Sequence, residues 1–179
     1  MSKKVALLAV NPVNGMGLFQ YLEAFFENGI SYKTFAVADC TTIKSNSGIT
    51  LIVDDVIANL KGKEDEFDAV VFACGDAVPT LYDNMDKAYN QDLLDVFKAF
   101  ASKGKLMIGH CAAGMLFDGL GLVDGRKIAV HPYIEQNKDK VIKKAVVTGA
   151  QKEVDGNFYT AQSENTIWTM MPEVLSALK

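Results

Sequence analysis

The apolar and polar residues of this chain follow an order that predicts strands and helices in alternation. Three short runs, Val5–Val10, Ala69–Ala73 and Lys105–Gly109, are almost continuously apolar, which is typical of strands covered on both faces. Apolar residues at helical spacing fall between them, in the longest case from Met85 to Ser102. This alternation predicts an α/β fold: a three-layer, flavodoxin-like sandwich whose mainly parallel sheet carries helices on both faces.

Weaker periodicity predicts the remaining elements. The further expected strands are Tyr32–Val37, Thr50–Val53, Arg126–Val130 and Lys144–Thr148, and a hairpin of Gln151–Val154 with Phe158–Ala161. The further expected helices are one that buries Leu18, Leu22, Phe25 and Phe26, one over Asp54–Leu60 capped by Asp54, and Thr166–Leu178, interrupted at Pro172. Ligands on parallel sheets bind at the carboxyl ends of the strands, so the loops after Val10, Ala73 and Gly109 are candidate sites.

Composition and charge then narrow the classes of function. The 179 residues, 49% of them apolar, predict one domain over residues 1–179 that folds without metal or disulfides. A net charge of −4 argues against nucleic-acid binding, and no apolar run is long enough to span a membrane. Two histidines and three widely spaced cysteines predict no metal site. Thiols without a secretory signal predict a cytoplasmic protein.

The segment Gly109-His110-Cys111-Ala112-Ala113-Gly114 carries the clearest chemical signal. It joins a predicted buried strand to a predicted helix through small residues, which is the pattern of a nucleophile elbow with Cys111 as the nucleophile. Amides at the start of the helix would favour the thiolate and stabilise an oxyanion. The alternative is a small buried cysteine at a strand end.

From Cys111 to His131-Pro132 the sequence resembles the ThiJ/PfpI family of the class I glutamine-amidotransferase-like superfamily. That family has a cysteine at an elbow, a Gly-Leu-Leu-x-Gly-like stretch and a strand that ends in histidine, and the resemblance covers nearly the whole chain. It implies a cysteine-dependent enzyme without a cofactor. The substrate would be a peptide or amide for a protease-like enzyme, or a small molecule for an aldehyde-modifying enzyme of the glyoxalase or deglycase type. The resemblance also implies a homodimer.

The same resemblance implies roles for four residues. Cys111 is the nucleophile, and His131 lies close to it as the base or orienting group. The backbone amides of Gly75 and Ala112 are the oxyanion-hole donors. Cys74 stands where the family has the first glycine of a Gly-Gly pair.

Other positions depart from the family pattern. Many members have a glutamate after the first strand, whereas the segment Pro12–Leu18 contains no carboxylate. Asp76, beside the oxyanion turn, is a possible substitute or simply a turn residue. Protease-like members have histidine directly after the cysteine, whereas His110 precedes it and is expected to point to the opposite face of the sheet.

Alternatives to an enzyme remain open at this point. If the strand ends are neighbours, Cys74 lies near Cys111, and a reversible disulfide or shared oxidation chemistry follows. The chain would then be a redox-responsive or stress-related binding protein. A nucleotide-binding domain is a second alternative, since Gly15-Met16-Gly17 opens a helix and Asp39 ends the second strand, although Gln20 stands at the third glycine position.

The first helix and the third cysteine complete the sequence interpretation. Phe19 and Tyr21 are expected to be exposed and to contribute to a dimer interface. Cys40 has no assigned role.

Overall fold

A computed structural model describes residues 3–179 and contains eleven strands and six α-helices in that part of the chain. The strands are β1 (Lys4–Val10), β2 (Ser31–Val37), β3 (Thr42–Lys44), β4 (Thr50–Ile52), β5 (Asp55–Val56), β6 (Ala69–Ala73), β7 (Leu106–His110), β8 (Lys127–Ile128), β9 (Val146–Val147), β10 (Lys152–Asp155) and β11 (Phe158–Ala161). The helices are α1 (Gly15–Glu27), α2 (Ala88–Ser102), α3 (Ala113–Gly119), α4 (Pro132–Gln136), α5 (Lys138–Val141) and α6 (Ile167–Leu178).

The core of the molecule is a seven-stranded sheet with the order β10-β11-β7-β6-β1-β2-β5. Its pairs are parallel except for the hairpin of β10 and β11 at one edge. All five residues of β6 are buried, because this strand is paired on both sides and covered on both faces. The mainly parallel α/β fold predicted from the sequence is confirmed.

Helices cover the two faces of this sheet with different side chains. On one face, aromatic rings form an edge-to-face series from Phe72 of β6 to Phe97 of α2 at 5.5 Å, and from Phe97 to Phe117 of α3 at 5.1 Å. Successive residues of a strand point to opposite faces, and His110 of β7 contacts Tyr21 of α1 on the other side. Helix α6 packs beside α1.

Two predictions for α1 were wrong. Tyr21, expected to be exposed at a dimer interface, is fully buried, and Phe26, expected on the buried face, is 74% exposed. The buried face consists of Leu18, Tyr21 and Phe25, which are spaced by three and four residues and therefore lie on one side of the helix. Phe19 is exposed, as predicted.

The segment after β2 also differs from its prediction. Strand β4 pairs with β3 in a separate ribbon instead of joining the main sheet, and β5 with a single 3₁₀ turn replaces the predicted helix over Asp54–Leu60. Asp54 is not a helix cap. Its carboxylate accepts hydrogen bonds from the backbone N–H and the hydroxyl of Thr34, at 2.8 and 2.6 Å, and so ties this segment to β2.

The C-terminal half follows its predictions more closely. The hairpin is present, whereas β8 and β9 are only two residues each and pair with one another. Helix α6 continues through Pro172, where the sequence predicts an interruption; Pro172 removes the backbone hydrogen bond to the carbonyl of Trp168. Within residues 3–179, no helix is long and apolar enough to cross a membrane.

Candidate active site

Cys111 occupies the turn between β7 and α3 in a strained conformation. Its φ is +60°, and it is the one residue other than glycine in the left-handed region among residues 3–179. Its backbone N–H donates to Ala161 O at 3.0 Å, and its carbonyl accepts from the N–H of His131 at 3.1 Å. These contacts hold the elbow from both sides. They offset a backbone strain of about 1–3 kcal/mol, which is typical of functional positions.

Glycine at position 109 allows the helix to approach the strand. A Cβ at Gly109 would lie 2.5 Å from the Cβ of Ala113. Small residues on both sides of the cysteine therefore have a packing reason, as the elbow pattern predicts.

Cys74 and Cys111 lie side by side at the carboxyl ends of neighbouring parallel strands. The ladder of β6 and β7 pairs Phe72 with Gly109, and each cysteine follows two residues later. A hydrogen bond between the two thiols lowers the pKa of Cys74. The same contact raises the pKa of Cys111, because removing the second proton would place two negative sulfurs together. The first proton of the pair is thus lost more readily than the second.

The two amides expected to form an oxyanion hole contact a sulfur atom here. The N–H groups of Gly75 and Ala112 both donate to the sulfur of Cys74 and help to lower its pKa. The N–H of Ala112 also donates to Cys111. The Cys74 side chain therefore contacts the two amides to which the family resemblance assigns the oxyanion hole.

The loop after β1 closes tightly over this turn. A Cβ at Gly75 would lie 2.2 Å from the carbonyl oxygen of Pro12 and 2.6 Å from the Cα of Val13. The N–H of Asn14 donates to the carbonyl of Cys74 at 2.9 Å. This loop contributes backbone and the amide side chain of Asn14 to the site and no carboxylate.

His131 lines the same cavity as the cysteines, but one of its ring nitrogens is already engaged. Its Nδ1 accepts a hydrogen bond from the N–H of Tyr133 at 3.2 Å and caps α4. A neutral imidazole that accepts at Nδ1 carries its proton on Nε2. In this tautomer His131 can donate a hydrogen bond through Nε2.

His110 is a buried neutral residue. It is 1% exposed, its Nδ1 lies 3.4 Å from the hydroxyl of Tyr21, and its Nε2 has no partner among residues 3–179. Burial lowers its pKa to about 3.

The ring of His110 packs against Gly17, where a Cβ would lie 2.6 Å from Nε2. The Gly15-Met16-Gly17 motif thus has a packing role, and Asn14 Oδ1 accepts the Gly17 N–H at 2.8 Å.

Two carboxylates lie at the cavity, and they differ in their surroundings. Asp76 is exposed and exchanges hydrogen bonds with Asn46 at 2.9 and 3.2 Å, so it stabilises a turn. Glu164 lines the cavity just after β11, and its negative charge raises the pKa of both thiols. Glu164 is a cavity residue without a role in the sequence interpretation. The feature that could have identified it is its position beyond a strand end at the same edge of the sheet.

The cavity above Cys111 has a volume of about 910 Å³. Polar and apolar side chains both line it, and the apolar part of the wall includes Leu94, Leu120, Tyr133, Ile134 and Val141. The described part of the chain contains no group of three or more His, Cys, Asp or Glu residues that could hold a metal ion.

Comparison with known proteins agrees with the fold. A model of the DJ-1/PfpI family matches residues 3–177. The protein ppBat of Bacteroides thetaiotaomicron is 63% identical over 179 residues, the full length of both chains. The crystal structure of "putative protease I" from the same species is 63% identical, with a TM-score of 0.95 over 99% of this chain and 100% of that one.

More distant structures share the fold alone. DJ-1beta of Drosophila melanogaster has 19% identity and a TM-score of 0.81, covering 99% of this chain and 91% of that one. Since the family match extends over almost every residue and the 63% identical relative aligns from end to end, the chain belongs to the DJ-1/PfpI family.

Proposed function

We propose that this protein is a thiol-dependent enzyme that modifies small aldehydes, with Cys111 as the nucleophile. The observation that carries the proposal is the strained elbow, which places Cys111 at a cavity and beside a second thiol that can take its proton. In this proposal the missing glutamate is not needed, because the pKa of Cys74 is lowered beside Cys111 and the ionised form of Cys74 can take the Cys111 proton.

The proposed step conserves one proton throughout. The Cys74 thiolate accepts the proton of Cys111, and the freed Cys111 sulfur adds to the carbonyl carbon. A C–S bond forms while the π electrons of the C=O bond move to oxygen. The N–H of His131 donates a hydrogen bond to that oxygen, and the Cys74 thiol returns the proton to it. The product of this step is a hemithioacetal on Cys111.

Small aldehydes fit the site better than peptides do. Hydrolysis of a peptide bond requires amide donors free to bind the oxyanion and a histidine that receives the nucleophile's proton and then gives it to the leaving amine. Here the amides of Gly75 and Ala112 bind the Cys74 sulfur, and Nδ1 of His131 is engaged with Tyr133. The apolar part of the cavity wall suits an aldehyde with an apolar substituent.

Turnover of aldehydes tests the proposal. Methylglyoxal and phenylglyoxal are incubated with wild type, Cys111→Ala and Cys40→Ala, and a fluorogenic peptide is run in parallel. We expect wild type and Cys40→Ala to consume the aldehydes equally, and Cys111→Ala to fall to the background rate. Aldehyde turnover that survives in Cys111→Ala, or peptide cleavage without aldehyde turnover, would contradict the proposal.

We also propose a homodimer, as family membership implies. Helix α1 exposes Met16, Phe19 and Phe26, three large apolar side chains, and this exposure supports a protein contact there. Sedimentation of wild type and Phe19→Glu tests it: wild type is expected to sediment as a dimer and Phe19→Glu as a monomer. A monomeric wild type would rule the dimer out.

A further inference from the structure

The strand register places the two cysteines at a distance suited to a covalent bond. Cys74 and Cys111 each lie two residues beyond the last pair of the β6–β7 ladder, and a hydrogen bond joins their thiols. Neighbouring strands lie about 4.8 Å apart. Disulfides join Cα atoms separated by about 4.4–6.8 Å. The backbone therefore needs no large movement to bring the sulfurs together.

Access to the two sulfurs is unequal. Cys111 is partly exposed at the cavity. Cys74 is 3% exposed, and its sulfur accepts hydrogen bonds from the amides of Gly75 and Ala112. A small oxidant entering the cavity reaches Cys111 first. Cys40, the third cysteine, is exposed on the segment before β3 and donates to the carbonyl of Thr42, so it is outside this pair.

We propose that Cys74 is the resolving thiol of Cys111: a hydroperoxide oxidises Cys111 in the cavity, and Cys74 then closes an intramolecular disulfide with it. This inference rests on the reactive Cys111 of the proposed function but not on any aldehyde turnover. The Cys74 side chain thus has a second role at the position where the family has glycine.

The chemistry balances with the hydroperoxide as the two-electron oxidant. The proton of Cys111 passes to the Cys74 thiolate, and the Cys111 sulfur attacks the terminal peroxide oxygen. The O–O bond breaks, leaving a sulfenic acid on Cys111 and an alkoxide or hydroxide, which takes the proton from Cys74 and leaves as an alcohol or water. The Cys74 thiolate then attacks the Cys111 sulfur, an S–S bond forms, the S–O bond breaks, and the released hydroxide takes a proton from solvent to become water. One thiol, one thiolate, one solvent proton and one hydroperoxide give one disulfide, one alcohol or water, and one further water.

Two consequences follow from this sequence. The disulfide protects Cys111 from a second peroxide molecule, which would otherwise carry the sulfenic acid to the irreversible sulfinic acid. It also removes the nucleophile and its proton acceptor together, so the oxidised protein is inactive towards aldehydes until a thiol reductant restores both groups.

Peptide mapping of the full-length protein tests the inference. Wild type, Cys74→Ala, Cys74→Ser and Cys40→Ala are treated with hydrogen peroxide or tert-butyl hydroperoxide, the free thiols are blocked with N-ethylmaleimide, and the digests are analysed by mass spectrometry. We expect wild type and Cys40→Ala to lose two hydrogen atoms and to give a linked Cys74–Cys111 peptide that dithiothreitol separates. Both Cys74 variants are expected to gain two oxygen atoms on Cys111.

Two results would overturn the inference: the absence of a linked peptide in wild type, or sulfinic acid on Cys111 at the same rate in wild type and Cys74→Ala. The wild-type map does not depend on how well the variants fold, and thermal melting of each variant checks their folding. Aldehyde turnover of the reduced protein is measured on the same samples. Turnover without the linked peptide defeats only this inference, and the linked peptide without turnover defeats only the proposed function.

Discussion

Glu164 is the charged side chain whose effect on the two thiols is easiest to measure. The hydrogen bond between the thiols has the largest effect on the pKa of each, and the negative charge of Glu164 adds a smaller contribution that opposes ionisation of both. Glu164 acts on the thiols through its charge and not through a hydrogen bond. Its place at the cavity suggests that it limits reaction of the thiols at neutral pH.

Replacing Glu164 by Gln should make the thiols more reactive. Loss of the negative charge lowers the pKa of the first ionisation, so the thiolate fraction below that pKa rises. We expect alkylation at pH 7 to accelerate roughly two- to tenfold, since one pKa unit changes the thiolate fraction tenfold. The pH profile of iodoacetamide labelling of Cys111 measures it.

Asp76→Asn is the matched control for Glu164→Gln, because Asp76 also lines the cavity but is bonded to Asn46. Its profile should coincide with that of wild type. A Glu164→Gln profile that moves to higher pH would show that the carboxylate activates the thiols, contrary to this account.

Individual site residues were predictable from the sequence to different degrees. The elbow at Cys111 was predictable because a strand, small residues and a helix occur in one short segment. The partners of that sulfur were harder to identify. The effect of Glu164 depends on β11 pairing with β7, and the engagement of His131 depends on a local bond to Tyr133, neither of which residue spacing reveals.

At the level of elements, the turn after β6 has the least room for change. The backbone of the loop after β1 crosses directly over Gly75, so an added methyl group would displace Pro12 or Val13. We expect Gly75→Ala to lower the free energy of unfolding by about 1–3 kcal/mol, the usual cost of overpacking. It should also slow alkylation of Cys111, because the Gly75 amide would move away from the sulfur pair. Urea denaturation and labelling rates measure the two effects.

Gly15→Ala provides the control for this substitution. A Cβ at Gly15 would meet the Cβ of Ser45 at 3.5 Å, an ordinary contact. Its stability should therefore remain close to that of wild type. Equal stability of the two variants would show that the loop over Gly75 is able to move, against the packing described here.

Elements with strong local signals matched the structure, and those that depend on tertiary contacts did not. Strand β6 was predicted at its observed limits, since five consecutive buried residues have no other role in this fold. The helix predicted over Asp54–Leu60 is absent, because the carboxylate of Asp54 accepts a hydrogen bond from Thr34, twenty residues earlier, instead of capping a helix of its own.

Buried Asp118 had no sequence signal at all. It accepts the backbone N–H groups of Lys143, Lys144 and Ala145 and fixes the segment beside the cavity.

The stability of the whole molecule should depend on pH through His110. Burial lowers its pKa to about 3, whereas an unfolded histidine titrates near about 6.5. The unfolded chain therefore binds more protons between these values. Above about pH 6.5 the ring is neutral in both states, and His110 adds no pH dependence to the free energy of unfolding. As the pH falls from there towards 3, the free energy of unfolding decreases by up to about 1.4 kcal/mol for each pH unit.

The variant His110→Asn separates this effect from the titration of carboxylates. Asparagine keeps a polar atom near the hydroxyl of Tyr21 but does not titrate. We expect the free energy of unfolding, measured in urea at pH 7.5 and 4.5, to fall less steeply in the variant than in wild type. The same fall in both proteins would mean that His110 is not held neutral by burial.

The central claim of this account is that Cys111 adds to an aldehyde carbon. Its most direct test is the carbon-13 spectrum of methylglyoxal, labelled at the aldehyde carbon and added to the reduced protein in a Cys40→Ala background, which removes the exposed thiol. The account predicts a protein-bound resonance of a tetrahedral carbon bonded to sulfur, lost when Cys111 is also replaced by alanine. The same resonance in the protein without Cys111, or none in the protein that retains it, would contradict the account.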